Sequence, residues 1–152
     1  MPNPKTERRS SGTIGKVSRS ATILLAEDDE DLRALLRRLL MDDGYVVIEA
    51  ATGSAALEYL ARAADQSAAF PDVLLLDFVL PGFSGLGVLR AIRRFAKVPA
   101  TIVMTAFPDP SVATFARNLG ALRVLRKPII EEELREVLAL ALAGTTLATQ
   151  GG

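Results

Sequence analysis

Val73-Leu74-Leu75-Leu76-Asp77 is a run of four apolar residues that ends in a carboxylate, and Phe78-Val79-Leu80-Pro81-Gly82 then turns the chain away. An apolar run without alternation is typical of a parallel strand that is covered on both faces. We therefore predict that Asp77 lies at the carboxyl end of a buried strand. Open α/β sheets carry out their chemistry at that edge.

The same pattern of an apolar strand followed by an amphipathic helix recurs five times. Strands are predicted at Thr22 to Ala26, Val46 to Ala50, Val73 to Asp77, Thr101 to Thr105 and Leu122 to Arg126. Between them, apolar residues recur at helical spacing. Five such units with short links predict a doubly wound α/β fold with five parallel strands and five helices. We take its strand order to be the flavodoxin-like one, 2-1-3-4-5.

The composition excludes several classes of protein. Of 152 residues, 49% are hydrophobic and 24% are charged, which suits one soluble domain. The chain has no cysteine and no histidine, which excludes disulfides, a phosphohistidine donor and a Ser-His hydrolase. No apolar run approaches the ~20 residues of a membrane span, so we expect no membrane insertion and a cytoplasmic protein.

One folded domain, residues 21–143, is predicted between two tails. Residues 1–20 hold five cations and one acid, a net +4, and are rich in Pro, Ser and Gly. We interpret them as a disordered basic arm that aids solubility, and we do not expect direct binding to nucleic acid. Residues 144–152 are small and polar, which predicts a flexible tail with no further domain behind it.

Five polar residues end the predicted strands or follow them: Glu27, Asp28, Asp77, Thr105 and Lys127. The first and third strands are neighbours in the predicted order, so three carboxylates converge and require a cation or a lysine among them. Oxygen ligands without His or Cys favour Mg²⁺, with Mn²⁺ as the alternative. We predict a phosphoryl site in which Asp77 attacks phosphorus while Thr105 and Lys127 bind phosphoryl oxygens.

Four motifs in this order resemble the receiver domain of two-component response regulators, and they cover about Ala21 to Ala143. The motifs are Ile23 to Asp29 with Leu32-Arg33, Leu75 to Gly82 with Gly85, Val103 to Ala106, and Arg126-Lys127-Pro128. The resemblance implies that Asp77 is the phospho-acceptor, that Thr105 is the switch hydroxyl and that Lys127 binds the phosphoryl group. It also implies that Glu27, Asp28, Asp77 and the backbone carbonyl of Val79 hold the metal. Asp29 is left as an N-terminal helix acid, and Lys127-Pro128 resembles the cis peptide of the family.

This resemblance implies a stand-alone switch rather than an enzyme, catalysing at most its own phosphorylation and dephosphorylation. A histidine kinase or phosphotransfer protein would supply the phosphoryl group, and an unknown output protein would bind the face of the fourth helix, fifth strand and fifth helix. A phosphorelay intermediate would use the same site and stays open. Two alternatives are disfavoured: a haloacid-dehalogenase-like phosphatase usually has a second acid where Val79 stands, and a phosphate-independent docking module would not need a complete site.

Two departures from the family pattern predict unusual behaviour. Val124 occupies the place of an aromatic residue that usually swings inward when Thr105 engages the phosphoryl group, so the loop after Thr105 or another ring, Phe107 or Phe115, would have to carry the switch. Val79 and Phe107 are apolar where a polar side chain could position an attacking water. We therefore predict slow self-dephosphorylation.

Overall fold

A computed structural model describes residues 20–107 and 109–151, with side chains described as far as Gly144. Strands and helices alternate along it: β1 (Thr22–Ala26), α1 (Glu30–Asp42), β2 (Val46–Ala50), α2 (Gly53–Ala64), β3 (Val73–Asp77), α3 (Gly85–Ile92), β4 (Ala100–Thr105), α4 (Pro110–Asn118), β5 (Arg123–Arg126) and α5 (Glu131–Gly151). All five predicted strands are present to within one residue at each end. The predicted basic arm, except for Ser20, lies outside the described residues.

The five strands form one parallel sheet in the order β2-β1-β3-β4-β5, as predicted. Ala26 pairs with Leu76, Asp77 pairs with Met104, and Thr105 pairs with Arg126. Because the pairing is parallel and in step, the carboxyl ends of β1, β3, β4 and β5 meet at one edge of the sheet. That edge carries the residues predicted to form the site.

The core has two layers, one on each face of the sheet. Alternate residues of the central strands, such as Leu24 and Leu76, pack with α2, α3 and α4, whereas Ile23 and Leu75 pack with α1 and α5. Every residue of β1 and β3 is buried. Each buried leucine contributes about 1.5–3 kcal/mol relative to an exposed one, so the strands that lead to the site are held firmly.

Polar side chains cap the helices that begin near this edge. Asp29 caps α1, because its Oδ1 accepts a hydrogen bond of 3.0 Å from the backbone N–H of Leu32, and so it acts as the helix acid that the sequence predicts. Ser84 caps α3 and Asp109 caps α4 in the same way. Each cap contributes about 0.5–2 kcal/mol and determines where the loop after a strand ends and the helix begins.

The end of α5 differs from the prediction of a tail at residues 144–152, since the helix continues through Gly144 to Gly151. A glycine inside a helix is about 1 kcal/mol less favourable than alanine, but no proline follows it to stop the helix. Although α5 is 21 residues long, no helix in the described part of the chain combines the length and apolarity needed to cross a membrane.

Candidate functional site at the carboxyl edge of the sheet

The predicted site residues come from four strand ends that the sheet brings to one edge. Glu27 follows β1, Asp77 ends β3, Thr105 ends β4 and Lys127 follows β5. Glu27 is 0% exposed, and Asp77 and Thr105 are 4% exposed each. Buried polar side chains require partners, so their contacts with one another decide the chemistry of this edge.

Lys127 joins the two buried carboxylates. Its Nζ lies 2.6 Å from Oε1 of Glu27 and 3.1 Å from Oδ2 of Asp77. The peptide bond between Lys127 and Pro128 is cis, as the family resemblance implies. This ammonium is the positive partner that acids placed so close together need, because two unpaired carboxylates would repel one another.

The charges of this cluster influence one another. Burial raises the pKa of Glu27 to about 7; the hydrogen bond from Lys127 opposes that rise, while Asp77 adds to it. Burial lowers the pKa of Lys127, but hydrogen bonds to Glu27 and Asp77 outweigh burial and raise its pKa above the ordinary value. Lys127 therefore remains a cation at neutral pH.

Three carboxylates form an oxygen cluster that fits a hard divalent cation. Glu27, Asp28 and Asp77 each offer an oxygen, and these atoms lie within 4.8 Å of one another. Three acids face one ammonium, so the cluster has room for further positive charge, and its donor set of oxygens alone matches Mg²⁺. Asp29 is not part of this cluster and caps α1 instead.

Val79 lies in the loop after β3 and fixes one side of Asp77. Its backbone N–H donates a hydrogen bond of 3.2 Å to Oδ1 of Asp77, while Lys127 contacts Oδ2. Both oxygens of Asp77 are therefore oriented before any substrate arrives. The role of the Val79 carbonyl as a metal ligand stays a prediction.

Thr105 connects the site to the loop after β4. Its Oγ1 accepts a hydrogen bond of 3.0 Å from the backbone N–H of Phe107. The ring of Phe107 meets the ring of Phe78 edge to face, with centroids 6.1 Å apart and planes at 72°. This pair was not predicted, although Phe78 directly follows Asp77 and Phe107 lies two residues after Thr105, at the ends of neighbouring strands. The two loops are thus coupled by the rings as well as by the strands.

Val124 and the two rings that could replace the missing aromatic residue, Phe107 and Phe115, lie in different parts of the structure. Val124 is half-buried in β5 and packs against the core with α2, α3 and α4. Phe107 and Phe115 are 52% and 50% exposed, and Phe107 has an aromatic partner in the loop after β3. Of the two candidates, Phe107 is the ring that contacts the site loops.

Arg33 and Gly85 contact the backbone of the site acids without belonging to the acid cluster. Both lie in the motifs that resemble the receiver family, but no role was predicted for either of them. The Arg33 guanidinium donates a hydrogen bond of 2.9 Å to the backbone carbonyl of Glu27, and it pairs with Glu49 at 3.2 Å. Gly85 begins α3 against β3, and a β-carbon there would lie 2.3 Å from the carbonyl oxygen of Asp77. α1 and α3 are therefore both anchored to the backbone of the site acids.

Comparison with known proteins identifies the family. A profile of the response regulator receiver domain matches residues 23–139. Sporulation initiation phosphotransferase F of Bacillus subtilis is 29% identical over 116 residues, which cover 76% of this chain and 89% of the relative. The transcriptional regulatory protein CpxR of Escherichia coli is 38% identical over 112 residues, 74% of this chain, but only 45% of CpxR. This chain thus spans most of the first relative but less than half of the second.

Solved structures agree with this assignment. The signal receiver domain of a putative Luxo repressor protein from Vibrio parahaemolyticus superimposes with a TM-score of 0.78 at 28% identity, covering 86% of this chain and 96% of that one. A response regulator receiver domain protein from Clostridium thermocellum gives a TM-score of 0.75 at 27% identity, covering 84% and 98%. With a family profile that matches most of the sequence, this chain belongs to the response regulator receiver domains, the phosphoryl-accepting components of two-component signalling.

Proposed function

We propose that Asp77 is the residue that accepts the phosphoryl group, and that a histidine kinase or a phosphotransfer protein donates it. The observation that carries this proposal is the position of Lys127, whose ammonium lies 3.1 Å from Asp77 and 2.6 Å from Glu27. A fixed cation beside a nucleophilic carboxylate stabilises the negative oxygens of an incoming phosphoryl group.

The reaction is a displacement at phosphorus. An oxygen of Asp77 forms the new P–O bond while the P–N bond of the donor phosphohistidine breaks, and the bonding pair stays on the imidazole nitrogen. Hydrogen bonding from Val79 and contact with Lys127 hold the Asp77 carboxylate in one orientation, so little reorganisation is needed when the donor arrives. The product is an aspartyl phosphate.

Glu27, Asp28, Asp77 and the backbone carbonyl of Val79 are the groups that would hold Mg²⁺, or Mn²⁺ in its place. The oxygen cluster of the three acids supports this assignment. A divalent cation bound there would offset the charge between the carboxylates and the phosphoryl oxygens. The acids of this chain supply the ligands, and the Lys127 ammonium moves from pairing carboxylates to pairing a phosphoryl oxygen.

Thr105 converts the new phosphoryl group into a change of shape. Its hydroxyl can donate to a phosphoryl oxygen, and its hydrogen bond with Phe107 transmits the shift to the loop before α4. The face formed by α4, β5 and α5 would then change its affinity for an output protein. The chain acts as a cytoplasmic switch that catalyses at most its own phosphorylation and dephosphorylation.

Intact mass after incubation with acetyl phosphate tests the phospho-acceptor without any partner protein. We expect one phosphoryl adduct with Mg²⁺, none with chelator and none in Asp77→Ala. Ser84→Ala is a matched control, because it removes a polar side chain from the same loop without touching the acid cluster, and it should keep the adduct. An adduct that survives in Asp77→Ala would refute the assignment.

A phosphorelay intermediate is the second candidate, supported by the similarity to a protein named sporulation initiation phosphotransferase F. In that case the aspartyl phosphate passes to a histidine of another protein. Mixing the phosphorylated chain with purified phosphotransfer proteins of the same organism tests the relay hypothesis, because a relay transfers the phosphoryl group to them within seconds to minutes. A terminal switch loses its phosphoryl group only by hydrolysis.

A further inference from the structure

A groove of about 1030 Å³ lies at the edge of the sheet opposite to Asp77. Its walls come from the ends of α3 and α4, the first residues of β4 and β5, and the middle of α5. None of the proposed phosphoryl or metal residues lines it. The groove is therefore separate from the site described above.

Three arginines from different elements line this groove: Arg93 after α3, Arg117 in α4 and Arg123 in β5. All three are exposed, and no aspartate or glutamate is among the lining residues. Within the described part of the chain, no salt bridge involves them. These guanidinium groups therefore have no carboxylate partner among the described residues, while Nη1 of Arg123 donates a hydrogen bond of 2.9 Å to the backbone carbonyl of Leu122.

Among the eight other described arginines, three form salt bridges and five do not. Arg33 and Arg37 pair with Glu49, and Arg135 pairs with Asp43. A cation near the end of a helix often has no role beyond interaction with the helix dipole, which would account for Arg93 or Arg117 taken singly. It does not account for Arg123, which begins a strand, or for the convergence of all three on one groove.

Exposed apolar side chains accompany the arginines. Val98, Leu122 and Leu140 line the same groove and are 46%, 37% and 54% exposed. Apolar groups next to unpaired cations are typical of a protein interface, where a buried apolar centre has a polar rim. A nucleic acid would leave these apolar groups facing a charged phosphate backbone, so the observations favour a protein segment.

The distribution of charge along the chain limits the occupant further. Residues 78–130 contain eight cations and one acid, whereas residues 21–77 contain four cations and twelve acids. Most residues that line the groove, including its three arginines, lie in the basic part, whereas Leu140, Ala141 and Gly144 come from α5, whose residues 131–143 contain four acids and one cation. Residues 1–20 have a net charge of +4, so the arm of this chain would be repelled from the groove rather than attracted to it.

We propose that this groove binds an acidic, amphipathic segment of another protein. Carboxylates of the segment would pair with Arg93, Arg117 and Arg123, and its apolar side chains would pack on Leu122 and Leu140. Docking at this edge leaves the opposite edge open to the phosphoryl donor. Its proposed contacts do not include Asp77, so binding is tested in the absence of a phosphoryl donor.

Selection from a library of random short peptides tests the chemistry of the occupant. The native chain is the bait, and the triple variant Arg93→Gln/Arg117→Gln/Arg123→Gln removes binders to other surfaces by counter-selection. The matched control is Arg90→Gln/Arg94→Gln/Lys97→Gln, which removes the same charge from residues that do not line the groove. Urea unfolding of each variant verifies that it folds.

We expect the selected peptides to combine Asp or Glu with Leu, Ile or Phe. The groove variant should weaken their binding by about tenfold or more, because it removes the three cations that would pair with carboxylates of the peptide. Leu140→Asp should weaken binding as well, whereas the control variant and Asp77→Ala should bind like the native chain. Rising salt should weaken binding to the native chain.

Several results would overturn the proposal. The proposal would be wrong if the selected peptides contained no acidic residues. It would also be wrong if the groove variant and the control variant lost peptide binding equally. A native chain that is dimeric in sedimentation analysis and monomeric in the groove variant would make a second copy the occupant. Binding of a short DNA duplex that depends on the arginines but not on Leu140 would assign the surface to nucleic acid.

Discussion

Gly85 begins α3 against the backbone of Asp77, and Gly85→Ala is expected to destabilise the fold and impair the site together. A β-carbon at this position would lie 2.3 Å from the carbonyl oxygen of Asp77 and 2.8 Å from Cα of Phe78. Both neighbours are backbone atoms, so no side-chain rotation can relieve the contact. To reach ordinary contact at 3.4 Å, α3 and β3 must separate by about 1.1 Å.

The size of the effect follows from two opposing contributions. Overpacking of a filled site destabilises by about 1–3 kcal/mol, and a clash between backbones belongs at the upper end of that range. Alanine is about 0.5–1 kcal/mol more favourable than glycine in a helix, which offsets part of the loss. We expect the free energy of unfolding to fall by about 2 kcal/mol, measured by urea titration.

Two glycine-to-alanine changes serve as controls. Gly144 lies in α5 with nothing within 4 Å of a β-carbon, so Gly144→Ala should raise the free energy of unfolding by about 0.5–1 kcal/mol. At Gly87 the nearest atom is Cδ1 of the Phe83 ring at 2.9 Å, and a ring can move, so the effect of Gly87→Ala should be small. If Gly85→Ala matched either control in stability and in acetyl phosphate labelling, the close approach of α3 to Asp77 would be wrong.

Three further predictions concern the metal, the lifetime of the phosphoryl group and pH. Mg²⁺ at ten times its dissociation constant should stabilise the native chain and Asp29→Ala by about 1.4 kcal/mol in thermal unfolding, but it should not stabilise Asp28→Ala. If Asp29→Ala and Asp28→Ala lost the same amount of Mg²⁺ stabilisation, the metal-site assignment would be contradicted. Val79→Asn with Phe107→Glu should speed loss of the phosphoryl group about tenfold or more by positioning water, measured by phosphate release; an unchanged rate would show that neither side chain limits hydrolysis. A hydrogen bond from Arg135 lowers the pKa of Asp43 in the folded chain. The Asp43 carboxylate therefore stabilises the fold at pH values above its ordinary pKa of 3.8, and this stabilisation is lost as the pH falls through the lowered pKa of the folded state. Asp43→Asn should therefore be less stable than the native chain at pH 7 and equal to it at strongly acidic pH, and a difference that persisted in acid would exclude this ion pair as its cause.

The strands were open to prediction because each apolar run is short, lacks alternation and ends in polar residues, as Val73 to Asp77 does, which is typical of a strand covered on both faces. Their order was assumed from the flavodoxin-like fold, and the structure confirms it. Once the strands are parallel and adjacent, Glu27 and Asp77 must meet at one edge. The need for a positive partner follows from electrostatics, and Lys127 supplies it.

Other features depend on contacts that no local pattern contains. The contact between the rings of Phe78 and Phe107 depends on the loops after β3 and β4 lying next to each other. The basic groove is assembled from the far ends of several elements, so its three arginines are 24 and 6 residues apart in sequence and look like ordinary surface charges. The helix α5 continues past Gly144 although glycine is about 1 kcal/mol less favourable than alanine in a helix, so a single glycine does not predict where the helix ends.

The contact between Lys127 and Glu27 joins residues 100 positions apart, from the first strand and from just after the last. A chain still emerging from the ribosome would hold its acids long before the ammonium that pairs with them has been synthesised. Until β5 docks, those acids repel one another and lack the cation that attracts a phosphoryl group. On the proposed function, a chain that ends before Lys127 would therefore lack the cation needed to accept a phosphoryl group.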